Sequence, residues 1–183
     1  TRYIGDWSSD VCSSDLGFDG ITLDTASAAA DASFISDGGA ISIGSVTSGL
    51  DLGIAAQGVA LGLISADNID ISSAGDISYF NATATGNIVM LAGGSLQGTG
   101  TTSGNNIDLS AAGDVFVRNI AALGDLSVMS SGGALRIDDS MSGGSSSISA
   151  FGNIASGSNA ARFTTGGDLN IASSNGSMRS EEH

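Results

Sequence analysis

The chain of 183 residues contains no proline and no lysine, and one each of cysteine, histidine and tryptophan. Aromatic residues make up 5% and charged residues 13%, against 28 glycines. A single cysteine builds no disulfide framework, so nothing follows about redox compartment. No apolar run is long enough to cross a membrane as a helix. The most apolar stretch, residues 49–66, is interrupted by glycine and alternates with a strand period. Five arginines against 19 acidic residues leave a formal net charge of −14, which disfavours nucleic acid and anionic membrane surfaces as partners. So much Gly, Ser, Ala and Asp would suit a disordered chain. The apolar residues, however, fall on a regular beat that disorder does not require.

That beat is clearest from Gly104 to Val128, GNNIDLSAAGDVFVRNIAALGDLSV, where Ile107/Leu109, Val115/Val117 and Leu126/Val128 alternate. An apolar residue at every second position marks a strand with one face buried. The first apolar residue of a leading strand falls at Leu50, Ile69, Ile88, Ile107 and Leu126 in steps of nineteen, then at Ile148 and Leu169 after 22 and 21. A second strand begins at Val59, Ile77, Leu96, Val115, Leu135, Ile154 and Met178. Its last six members follow Gly75, Gly94, Gly113, Gly133, Gly152 and Gly176 by two positions. These are the expected turn glycines, supplying positive φ. Asn68, Asn87, Asn106, Asp125, Ser147 and Asp168 stand near the starts of the leading strands and predict a structural ladder of stacked side chains. Residues 20–23, and Phe34 with Ile41/Ile43, add coils upstream. A fainter third strand recurs at Leu63-Ile64, Ala82–Ala84 and Ile120–Ala122. A unit of about twenty residues cannot bury its own core, so repetition signals a solenoid. The expected fold is all-β, a three-sided parallel β-helix of about eight coils, one domain without a linker. At ~4.8 Å per coil it makes a rod of roughly 40 Å.

The two ends do not follow the pattern. DWSSDVCSSDL (Asp6 to Leu16) and RSEEH (Arg179 to His183) can be encoded by DNA strings whose ends are reverse complements of one another. They resemble translated sequencing adapter, so 1–15 and 179–183 are read as adapter-derived and 16–178 as the β-helical fragment. The ends take with them Asp6, Asp10, Asp15, Glu181, Glu182, Arg2 and Arg179, which leaves 14 Asp and three Arg and a net charge of −11. The expectation is that these ends lie extended without a coil of their own.

The cadence in NNIDLSAAGDVFV, GNIVMLAGGSLQG and GDLNIASSNGSM resembles the repeats of filamentous haemagglutinin and similar large bacterial exoproteins, a style shared with autotransporter passengers. The resemblance spans about Phe34 to Met178. It implies a right-handed β-helical shaft, secreted across the Gram-negative outer membrane by a two-partner or autotransporter route and displayed on the cell or released. The implied partners are an outer-membrane transporter, a host or neighbouring-cell surface, and adjacent repeats of a longer chain. The expected function is structural, as an adhesin-type shaft that extends and presents, with no catalysis and no cofactor or metal. A polysaccharide-acting β-helical enzyme and a self-associating biofilm matrix protein are the alternatives.

Candidate chemistry is sparse. Asp70, Asp76, Asp108 and Asp114 fall one per coil. They lack the basic neighbour that carboxylate-based cleavage of a polysaccharide would need, so solvated turn and face positions account for them. Asp138-Asp139 also reads as a turn. GGSLQGTG and GGDLNIAS lack the spaced Asp of a calcium-binding nonapeptide. Phe116 lies between inward Val115 and Val117. The offset of twenty between Val115 and Leu135 sets Phe116 beside Arg136 and Arg118 beside Asp138, all four facing out. Phe116 and Arg136 are thus candidate surface contacts. Asn81-Ala82-Thr83 and Asn175-Gly176-Ser177 match the glycosylation acceptor pattern, which is frequent by chance in a chain this rich in Ser and Thr.

Overall fold

The computed structural model describes residues 2–4, 7–9, 12–15, 20–156 and 162–179, the first three stretches and residue 179 as backbone alone. Each coil contributes a short and a long strand. The short strands Ala32–Ile35, Asp51–Ala56, Asn68–Ser73, Ile88–Ala92, Ile107–Ala111, Leu126–Ser130, Ser146–Ala150 and Leu169–Ser173 stack into one sheet. The long strands Ile21–Ala28, Ala40–Ser48, Gly58–Ala66, Ile77–Ala84, Leu96–Gly104, Val115–Ala122 and Leu135–Ser142 stack into the other. Above these, the long strand of the next coil is divided into Ile154–Ser156 and Phe163–Thr165. Neighbouring strands run parallel, and no helix occurs among the described residues. The molecule is the expected parallel β-helix of about eight coils.

The interior follows from the alternation. Ile69, Ile88, Ile107 and Leu126 form one column, and Ile77, Leu96, Val115 and Leu135 a second, each 1% exposed or less. The third side is not a separate strand. In Val115–Ala122 two consecutive residues, Arg118 and Asn119, face out, after which Ile120 and Ala122 turn in again. The change of phase bends the strand around a corner while its hydrogen bonds continue. A third inner column, Ile64, Ala82, Thr102, Ile120 and Ser140, results. Two sheets therefore enclose three sides.

Three expectations need correction. Leu50 sits in a turn, 48% exposed, and its column place belongs to Leu52, which pairs with Ile69. Ile148 pairs with Val128, so the Leu126 column continues through Ser146. Ser146 is buried there because its hydroxyl bonds to Ser142 Oγ at 2.7 Å, a polar solution that a search for apolar residues passes over. Finally, the amino-terminal segment does form strands. Arg2–Ile4 and Trp7–Ser9 pair with Ile21–Ala28, and Cys12–Asp15 with Ala32–Ile35. An open strand edge accepts any extended backbone, so this pairing is independent of the DNA-level origin of the segment. At the other end Met178–Arg179 pairs with Ile154 and Ala155, while residues 180–183 lie outside the described part.

Tyr79, like Phe34, is an aromatic side chain of the interior, 3% exposed, and its hydroxyl meets Thr102 Oγ1 at 2.7 Å. The next coil makes room with Gly98, where a Cβ would stand 2.5 Å from the phenol. Burial drives the Tyr79 pKa far above its ordinary value, and the Thr102 hydrogen bond offsets a part. The unfolded chain ionises this phenol near pH ~10, whereas the folded one keeps it neutral. Its contribution is thus complete below that pH and is lost as pH rises above it. Urea titrations between pH 8 and pH 11 should show an alkaline loss of stability that Tyr79→Phe reduces; an identical slope in the variant contradicts this. Ile107→Ala should cost ~2–5 kcal/mol and the outward-facing Ser110→Ala less than ~0.5 kcal/mol in the same assay. Equal losses would refute the inward column.

Candidate functional site

The corner where a long strand gives way to the next short strand leaves a backbone N–H that no strand carbonyl serves, and a buried or constrained donor must find an acceptor. A side-chain oxygen of the coil below supplies it. Asn68 Oδ1 accepts from the Asn87 amide at 2.8 Å, Asn106 Oδ1 from Asp125 at 2.9 Å and Asp125 Oδ1 from Ser145 at 2.8 Å. Below, Asp31 accepts from the Asp51 amide at 3.1 Å, and Asn68 Nδ2 donates to Asp51 Oδ1 at 2.8 Å. Above, the Asp168 amide donates to Ser145 Oγ at 3.3 Å. The predicted residues Asn68, Asn87, Asn106, Asp125 and Asp168 therefore lie in one row. Most rungs run from side chain to backbone; Asn87 and Asn106 are joined side chain to side chain as well, and Asp51 and Asn68 are joined through their side chains. Ser147 is not a member: Ser145 holds that place, and Ser147 pairs with Ser127 within the sheet.

A second corner repeats the device. Asp76 Oδ1 accepts from Ser95 at 2.7 Å, Asp114 Oδ1 from Ala134 at 2.8 Å and Asn153 Oδ1 from Ser177 at 2.9 Å. The glycines of this corner do not work as expected. Gly75, Gly94, Gly113, Gly133, Gly152 and Gly176 all have negative φ; among the described residues Gly20 alone is positive, at 84°. Their role is close approach. A Cβ on Gly94 would collide with Asp76 Oδ1, and one on Gly133 with Asp114 Oδ1. Gly124 and Gly144 stand in the same relation to Asn106 and Asp125 at the first corner. At these four positions glycine clears the path of the oxygen, and the amide of the following residue donates to it. Asn105 stands where the coils on either side have Gly86 and Gly124, and there the bond from the Asn106 amide to Asn87 Oδ1 stretches to 3.3 Å.

The predicted outer contact is present. Arg136 Cζ lies 5.0 Å from the centre of the Phe116 ring, a cation–π arrangement worth ~0.5–1 kcal/mol at an exposed site. Arg118 Nε approaches Asp138 Oδ2 at 3.5 Å, and Arg136 Nε approaches Asp138 Oδ1 at 3.5 Å. Asp138 itself does not face solvent as expected. It is 8% exposed, because the two arginine side chains close over it at the corner. Nor is Asp138-Asp139 a turn: both residues lie inside Leu135–Ser142, and Asp139 Oδ1 accepts from the Arg162 amide at 2.9 Å. An open groove beside the pair is lined by Asp114, Phe116, Ala134, Arg136, Asn153 and Ala155.

The remaining acids are dispersed. Asp70 and Asp108 lie on the outer face of the short sheet, with Val89 between them. Asp76 and Asp114 are committed to corner amides. Among the described residues no three His, Cys, Asp or Glu side chains come together as metal ligands. Asn81 Oδ1 accepts from the Thr101 amide at 2.7 Å, a third corner row that sequence reading missed. The Tyr79–Thr102 pair was also missed. Its available signal was a large and a small residue, Tyr79 and Gly98, nineteen apart in an inward column.

Comparison of the chain with protein-family models, curated proteins and solved structures finds no match. The site is therefore read from its geometry.

The corner mechanism makes a sharp expectation for Gly124 and Asn106. Asn106→Ala removes two exposed hydrogen bonds, from the Asp125 amide and to Asn87 Oδ1, and should cost ~1–2 kcal/mol. Gly124→Ala should cost more than that by itself, but little once Asn106 is already Ala, because the side chain it strikes is gone. A double-mutant cycle by chemical denaturation reads the coupling. Additive losses would mean that the glycine serves something other than the Asn106 oxygen.

Proposed function

We propose that this chain is a length of structural shaft from a large secreted or surface-displayed bacterial exoprotein of adhesin type, whose task is extension and presentation. One observation carries the reading. The row from Asp31 to Asp168 bonds each coil to the next without a gap, so the polar chemistry of the molecule is directed along its axis. Each added coil brings the same rung, the same buried column and the same rise of ~4.8 Å. Length is therefore built by repetition, and adhesion falls to surfaces or domains that the shaft carries. The haemagglutinin-like cadence supports this, since its Asn and Asp supply the corner oxygens and its glycines clear their path at Gly94, Gly124, Gly133 and Gly144. In this reading an outer-membrane transporter handles the chain on its way out, and it works at the cell exterior. No catalytic role is assigned, because the acids an enzyme would use are spread along the coils or bonded to corner amides.

Recovery of the uninterrupted reading frame and electron microscopy of its product test the proposal. Further repeats of about nineteen residues should appear, and rod length should grow by ~4.8 Å for each. A frame without additional repeats, or purified protein that depolymerises an acidic polysaccharide, would count against it.

A further inference from the structure

Charge is divided unevenly along the rod. Residues 20–117 carry nine Asp and no Lys, Arg or His, whereas residues 118–178 carry four Asp and three Arg. The three arginines occupy successive coils: Arg118 and Arg162 stand at the bend of the long strand, beside Asn119 and Phe163, and Arg136 lies on the coil between, just before the bend in the column of Phe116. The acidic partner of the first two is covered. Asp138 has a side chain 11% exposed, against 57% for Arg118 and 50% for Arg136. A surface approaching this ridge therefore meets three guanidinium groups and one exposed carboxylate, Asp139, with Arg136 already held by Phe116 and Asp138. Guanidinium forks suit carboxylates.

We propose that two copies of the rod associate side by side, with the arginine ridge of one seated on the outer face of the short sheet of the other. That face carries exposed Asp70 and Asp108, two coils apart, with Val89 between them at 43% exposure. Arg118 and Arg162 are likewise two coils apart, with Arg136 on the coil between. Parallel rods share one rise, so a stagger of two coils, about 10 Å, sets Arg118 against Asp70 and Arg162 against Asp108. The same shift brings Arg136 to the level of Val89. The two surfaces are different patches of one molecule, so the contact is heterologous and continues from rod to rod rather than closing as a pair. This goes beyond the shaft reading, since a shaft extends and presents whether or not it bundles.

Sedimentation velocity on the full chain tests it. At about 10 mM salt, where the Debye length is ~30 Å, mass should rise with protein concentration, and at 1 M salt, where it is ~3 Å, the monomer should return. Arg118→Glu with Arg162→Glu should abolish association, and so should Asp70→Arg with Asp108→Arg, each with an unchanged circular dichroism spectrum. Mixing the two variants should restore it, since each now offers what the other lacks. If the reversed pairs fail to fold, Arg118→Gln with Arg162→Gln should still weaken association roughly tenfold, the loss of two exposed ion pairs. A monomer at low salt, variants that associate like the parent, or a mixture that stays monomeric would each overturn the proposal. The second of these outcomes would assign association to the open strand edges instead.

Discussion

The hydrogen bond from a corner amide to an Asn or Asp oxygen one coil below is the interaction on which the stack depends. Strand carbonyls satisfy strand amides, but a chain that turns three corners in about nineteen residues leaves donors with nothing opposite them. The corner rows answer this with short polar side chains, and those side chains need space. Glycine in the coil above provides it, as at Gly94 over Asp76 and Gly124 over Asn106. The high glycine and aspartate content, which could pass for low complexity, is thus the composition that this stacking demands. Where the pairing is imperfect, as at Asn105, the bond lengthens.

The interior obeys a complementary constraint. Stacked coils bring the same column position together at every level, so each side chain must fit those directly above and below it. Branched aliphatic residues repeat well, and the Ile and Leu columns are nearly closed to solvent. A departure in one coil is compensated in the next. Tyr79 stands under Gly98, and its hydroxyl finds Thr102 in the neighbouring column. Ser146 takes an aliphatic place and bonds to Ser142. What remains on the outside is the Phe116–Arg136 stack, the three arginines about the bend and the Asp70–Asp108 face of the short sheet.

Much of this was legible in the residues alone. A period of nineteen, alternating apolar pairs and the turn residues between them specify a stack of parallel strands, because a unit that short can bury its apolar face only against copies of itself. The interior columns, the Asn and Asp row and the approach of Arg136 to Phe116 follow from period and alternation. The sequence could not show why glycine was needed, since a position before a polar residue looks alike whether φ or space is the reason. Nor could spacing distinguish Leu50 from Leu52, as both continue an alternation and only the strand pairing selects one. The bend that joins the second and third sides, the burial of Asp138 beneath two arginines, and the course of the terminal strands were decided by tertiary structure. Each depends on which side chains neighbouring coils bring together around a corner, a distance that lies between coils and not along the chain.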